Sequence, residues 1–126
     1  MRKYYASPDS GNVQLALFAT QHVVCDHEGL SIYPTGNTTG YVLLSDQGAN
    51  RFHVFPREGV PGQPHNHPLL KVVNVAAIES DGSDVTPFSL NDTFKNGMFA
   101  VMSTNKTFHF YKWEDIAGTD LKVVAQ

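Results

Sequence analysis

CDHEGLSIYPTGNTTGYVLLSDQG spans residues 25–48. Two short apolar runs, GLSIYP (29–34) and GYVLLS (40–45), flank a Thr/Gly/Asn turn, which is the punctuation of a β-hairpin. A hairpin brings its two ends together. Asp26 and Glu28 stand just before the first run and Gln47 just after the second, so three oxygen-bearing side chains are expected at one end. Side chains alternate along an extended chain, which puts Asp26 and Glu28 on one face. Two carboxylates side by side repel each other unless a cation lies between them or one is protonated. Hard oxygen donors of this kind suit Ca²⁺, with the amide oxygen of Gln47 as a neutral third ligand. The alternative is that Asp26 and Glu28 are solvated turn residues, and spacing alone favours that plainer reading.

Outward from the hairpin, the periodicity stays that of strands. NVQLALF alternates, with Val13, Leu15 and Leu17 on one face. RFHVFP (51–56) alternates again and stops at Pro56, which has no N–H to give a ladder. LLKVVNVAAI (69–78) is rich in β-branched residues, and MFAVMS (98–103) and TFHFYKW (107–113) follow a polar loop. In the last run Phe108 and Phe110 face one way and His109, Tyr111 and Trp113 the other. Only WEDIAG, about one turn long, has a helical pattern. The fold class predicted is all-β, with short strands about ten residues apart, as in a sandwich, barrel or propeller. Strands starting near 30, 40, 51 and 69 make one four-stranded antiparallel propeller blade over residues 21–79. Strands near 85, 98 and 107 make an incomplete last blade over residues 80–126, and residues 1–20 read as the end of a preceding one. Tyr41, Val42, Leu43 and Leu44 are apolar on both faces, so the strand they form is expected to be central and covered on both sides.

Composition bounds the function. The chain has 126 residues, 41% of them hydrophobic and 17% charged, as in an ordinary globular domain. A formal charge of −3 leaves no basic stripe for phosphates, which argues against a nucleic-acid partner. No apolar run approaches the roughly 18 residues of a membrane span, so no membrane partner is expected. The opening MRKYYASPDSG has no apolar core and does not read as a signal peptide. A single cysteine, Cys25, excludes an internal disulfide framework and reads as an inert, buried thiol. Asn37 in NTT, Asn91 in NDT and Asn105 in NKT each fit the N-glycosylation pattern, which leans towards a secreted, extracellular glycoprotein.

A second acidic knot, ESDGSD (79–84), sets Glu79, Asp81 and Asp84 around Gly82. It is a loose calcium-loop pattern without EF-hand spacing, and Asp-Gly is also a common turn pair. His65 and His67, set between prolines in a polar loop, read as part of a mobile loop rather than a metal site. Ser45 and Ser103 lack a GxSxG elbow, so acyl transfer is not indicated.

The segment DHEGLSIYPTGNTTGYVLLSDQGAN resembles the D-x-E-G-L-x-I-Y…G-Y-L-x-x-S-S-Q-G-x-N pattern of the β-propeller phytases. SDGSDVTPFSLNDTFKNGMFAV is similar to a later T/S-D-G-I-D/E-V…F-P-x-G-x-F-V segment, and KTFHFYKWEDIA to N-F-K-x-V-P-W-x-D-I-A near that family's C-terminus. YYASPDSG is similar to the end of the blade before them, so the resemblance covers about residues 4–117.

The resemblance implies about two blades of a six-bladed propeller that uses calcium to hydrolyse phytate, the hexakisphosphate of inositol, or another phosphorylated small molecule. It implies Asp26 and Glu28 as catalytic positions, and Asp26, Glu28, Gln47, Asp81 and Asp84 as the residues around calcium. Two departures stand out. The loop after the GMFAV strand, MSTNKTF, is shorter than the family's and has no acid, which weakens a calcium site at Asp81 and Asp84. The family is also well over twice this length, and its phosphate-binding cations lie in blades before this segment. The chain is therefore expected either to be the C-terminal part of a calcium-dependent phytase, partnered by further blades, or to be a non-catalytic secreted β-module. Such a module would work in assembly or binding and pair with copies of itself through open strand edges.

Overall fold

The computed structural model describes residues 1–24 and 26–124, so the expectation for Cys25 lies outside the described residues. Nine strands fall into three antiparallel sheets. β1 (Arg2–Lys3) pairs with β2 (Ala16–Leu17). β3 (His27–Pro34), β4 (Gly40–Asp46), β5 (Arg51–Pro56) and β6 (Lys71–Asn74) form a four-stranded sheet in chain order. β7 (Ser83–Thr86), β8 (Met98–Ser103) and β9 (Thr107–Lys112) form a three-stranded one, and β3 packs beside β7. A single short helix, α1 (Trp113–Ala117), follows β9. The chain is all-β, with one complete blade-like sheet and one that lacks a fourth strand.

β4 is interior and covered on both faces, for the reason its sequence suggests. Leu43 packs with Tyr33, Phe52 and Val54 in a core shared with Phe99, Val101 and Trp113. Val42, Leu44 and Phe55 face the opposite way and meet Met1, Phe18 and Val23 of the N-terminal segment. Phe52 meets Phe99 edge-on, with ring centroids 4.9 Å apart, which joins the two larger sheets.

Three expectations are corrected. NVQLALF forms no long strand: only Ala16–Leu17 pairs, and Val13 and Leu17 are exposed, since no further strand lies beside them to cover them. In the 69–78 run only Lys71–Asn74 joins the ladder. His67 is not in a mobile loop. It is buried, its ring stacks on Phe18 with centroids 4.5 Å apart, its Nδ1 lies 2.7 Å from the Pro56 carbonyl, and its Nε2 lies 3.1 Å from Lys3 Nζ. His67 thereby fastens β1 to the loop after β5, while His65 stays exposed.

Candidate functional site

The β3–β4 hairpin ends where the sequence places it, but strict alternation does not set the relation of Asp26 to Glu28. Asp26 precedes the strand with φ of 49°, and the β3–β4 register shifts between His27 and Leu30, a bulge at Glu28 and Gly29. Bulges re-aim the side chains they carry. The bulge has a neighbour: a Cβ on Gly29 would lie 2.8 Å from the Asp81 carbonyl oxygen, so only glycine lets β3 come this close to residues 81–83. Gln47 opens the turn after β4, where its N–H donates to the Asp26 carbonyl at 3.3 Å and its side-chain amide donates to the Asp81 carboxylate. Asp26, Gln47 and Asp81 are thus joined by hydrogen bonds, and the Glu28–Gly29 bulge lies against the Asp81 backbone. Glu28 is exposed and lines an open cleft of about 560 Å³ with Met1, Ala19, Thr20, His27 and Leu30.

Asp84 is placed differently. It sits in β7 opposite Ala100, and its carboxylate accepts the Val85 N–H at 2.8 Å. Glu79, with φ of 51°, donates its N–H to Asn50 Oδ1 at 2.9 Å. Among the described residues no three His, Cys, Asp or Glu side chains are gathered as a metal shell. The chemistry of Asp26, Glu28, Gln47 and Asp81 nonetheless fits calcium, because every donor is a hard oxygen; their number falls below the six to eight that calcium takes.

Asp46, Arg51 and His53 form a buried network that sequence reasoning missed. Asp46 is fully buried. Its Oδ1 accepts the Val24 N–H at 3.0 Å, and its Oδ2 lies 2.8 Å from Arg51 Nε and 3.2 Å from His53 Nε2. Burial opposes the Asp46 charge, but the hydrogen bonds from Arg51, Val24 and His53 outweigh it and hold the carboxyl below the usual range. Burial also lowers the His53 imidazole, against the pull of Asp46. The signal lay in the spacing: across the β4–β5 turn Asp46 pairs with Arg51, and His53 follows on the same face.

Asn37 is exposed in the β3–β4 turn, Asn91 is exposed with its amide oxygen accepting the Thr93 and Phe94 N–H groups, and Asn105 is exposed with φ of 65°.

A sequence profile described as Phytase matches residues 1–121. The chain is 30% identical over 127 aligned positions to the 3-phytase of Bacillus subtilis (strain 168), covering 91% of this chain and 33% of that protein. It spans about a third of the length of the curated relative it matches. With the all-β sheets and the acidic hairpin end already described, a match over nearly the whole chain leads to one conclusion: the chain belongs to the phytase family.

Proposed function

We propose that this chain supplies one wall of a calcium-dependent phosphomonoester hydrolase site for inositol hexakisphosphate, the reaction implied by its 3-phytase relative. The observation that carries the reading is the convergence of Asp26, Gln47 and Asp81, beside the Glu28 bulge, in a chain matched to the family over residues 1–121. Asp26 and Glu28 would hold the cation through their carboxylates and Gln47 through its side-chain carbonyl, with Asp81 orienting the Gln47 amide. Bound calcium reverses the sign of an acidic cleft, so that it attracts a polyanion and activates water for attack on phosphorus. Asp84, turned to its own strand, stands outside this group.

Calorimetry with Ca²⁺ on the wild type and on Glu28→Gln tests the reading. Weak binding, on the order of millimolar for a poorly enclosed site, is expected in the wild type and most of it lost in the variant, with the sheet signal in circular dichroism unchanged. Identical titrations would return Asp26 and Glu28 to solvated turn residues.

Exposed apolar sheet faces favour a second reading, a non-catalytic secreted module that assembles with further blades or with copies of itself. Phe108 and Phe110 of β9 are exposed at one end of the molecule and Leu30 and Ile32 of β3 at the other. The exposed sequons at Asn37, Asn91 and Asn105 support an extracellular setting.

A further inference from the structure

We propose that Asp46 is a positioning residue: its buried carboxylate clamps the irregular segment before β3 and so holds Asp26 against the Gln47 turn. The inference rests on the calcium reading for its functional meaning and on geometry for its substance.

The segment between β2 and β3 has no ladder of its own. Ala19, His22 and Asp26 take φ of 56°, 69° and 49°, left-handed backbone that non-glycine residues keep only where their surroundings enforce it. The enforcement converges on one side chain. Asp46 Oδ1 accepts the Val24 N–H, two residues before Asp26, and Asp46 Oδ2 fixes the Arg51 guanidinium at 2.8 Å. Arg51 in turn donates from Nη2 to the His22 carbonyl at 2.7 Å. His53 buttresses the same Oδ2 at 3.2 Å. On the far side the next residue along β4's exit, Gln47, donates its N–H to the Asp26 carbonyl at 3.3 Å. Asp46 and Gln47 are adjacent in the chain, so one short stretch both anchors the segment and carries a proposed ligand.

An acid is needed here rather than an amide. Three donors meet the two carboxylate oxygens, and an Asn would turn its NH₂ towards one or more of them. Removing the charge would also leave the Val24 N–H or Arg51 without its acceptor in a buried place.

The test uses the full chain in four forms: wild type, Asp46→Asn, Glu28→Gln and Val54→Ala, whose site is fully buried on the opposite face of the sheet. Hydrogen exchange of residues 18–28 is followed without added metal, and Ca²⁺ affinity by calorimetry. Asp46→Asn is expected to speed exchange in that segment and to weaken Ca²⁺ about tenfold, as loss of a supporting partner typically does. Glu28→Gln should lose binding while its exchange stays as in the wild type. Val54→Ala should lower stability and leave both readouts in place. Wild-type exchange in Asp46→Asn, or equal weakening of Ca²⁺ by Val54→Ala, overturns the proposal. If the wild type binds no Ca²⁺, the calcium reading falls, and the exchange comparison still decides the clamp. If Asp46→Asn fails to fold, Arg51→Gln, at a partly exposed site, is put to the same comparison through the His22 tie.

Discussion

The indole of Trp113 lies flat on the phenol ring of Tyr33, with centroids 3.7 Å apart and planes 12° from parallel. The start of α1 is thereby joined to β3, the first strand of the other large sheet. Trp113 also donates its Nε1–H to the Lys122 carbonyl at 3.0 Å, and Tyr33 Oη accepts the Val124 N–H at 3.3 Å. Both rings are fully buried. Trp113→Ala is expected to cost about 3–5 kcal/mol, the usual range for emptying such a site. Urea unfolding of the two proteins measures it, and a loss below about 1 kcal/mol would mean the stack is dispensable.

Acid should destabilise the fold through His53. Asp46 and Arg51 face this imidazole, and His22 is near enough to oppose its charging. Burial, the largest influence, holds it below the ordinary 6.5. The unfolded chain therefore takes up the proton first, so the contribution is complete above about pH 6.5 and fades as pH falls towards the folded value. Thermal melts across pH 5–8 should show the melting temperature dropping on the acid side, with a shallower drop in His53→Gln. Parallel profiles would remove His53 from the account.

Phytate turnover by the isolated 126-residue chain is expected to be poor, at least about a hundredfold below that of a complete family member. A hexakisphosphate needs cations on several sides, and this chain, a third of its relative's length, offers one wall. Phosphate release with calcium present decides the point. Turnover matching the complete enzyme would show that the remaining blades are unnecessary.

Self-association, if the open faces drive it, should depend on β9. Phe110→Asp sets a charge in the middle of the exposed Phe108–Phe110 face and should shift sedimentation towards the 13.9 kDa monomer at high concentration. Unchanged sedimentation of an associated wild type would clear this face of the role.

Glycan occupancy is expected first at Asn37, exposed in the β3–β4 turn. At Asn91 the amide oxygen is already engaged by two backbone N–H groups. Mass spectrometry of protein from a eukaryotic secretory host reads this directly, and three bare asparagines would count against the extracellular reading.

The sheets were legible wherever local pattern and tertiary environment agree. The two apolar runs and the turn between them gave β3 and β4, the doubly apolar Tyr41–Leu44 run gave the covered central position, and WEDIAG gave α1. What was hidden depends on partners distant in sequence. His67 is held by Lys3, 64 positions away, so its PHNHP setting gave no sign of burial. Asp46 stands among turn-like residues, and only the register with Arg51 and His53 makes its burial tolerable. The Asp26 backbone and the Glu28 bulge follow from contacts with Gln47 and Asp81 that alternation cannot foresee. For Phe108 and Phe110 the alternation was right but silent on which face would be covered, and the phenylalanines are the exposed ones.

The two larger sheets share no strand ladder, yet Tyr33, Leu43 and Phe52 form a single cluster with Phe99, Val101 and Trp113. Neither sheet can dissolve without stripping the other, so heat should melt them in one step. During synthesis the coupling runs against the chain. β3 to β6 can align once Asn74 has emerged, but the face of that sheet bearing Tyr33 and Phe52 stays wet until β8 and Trp113 follow. For that interval a nascent sheet carries bare aromatic surface and an open edge, the moment at which a ribosome-bound holdase would matter most to its yield.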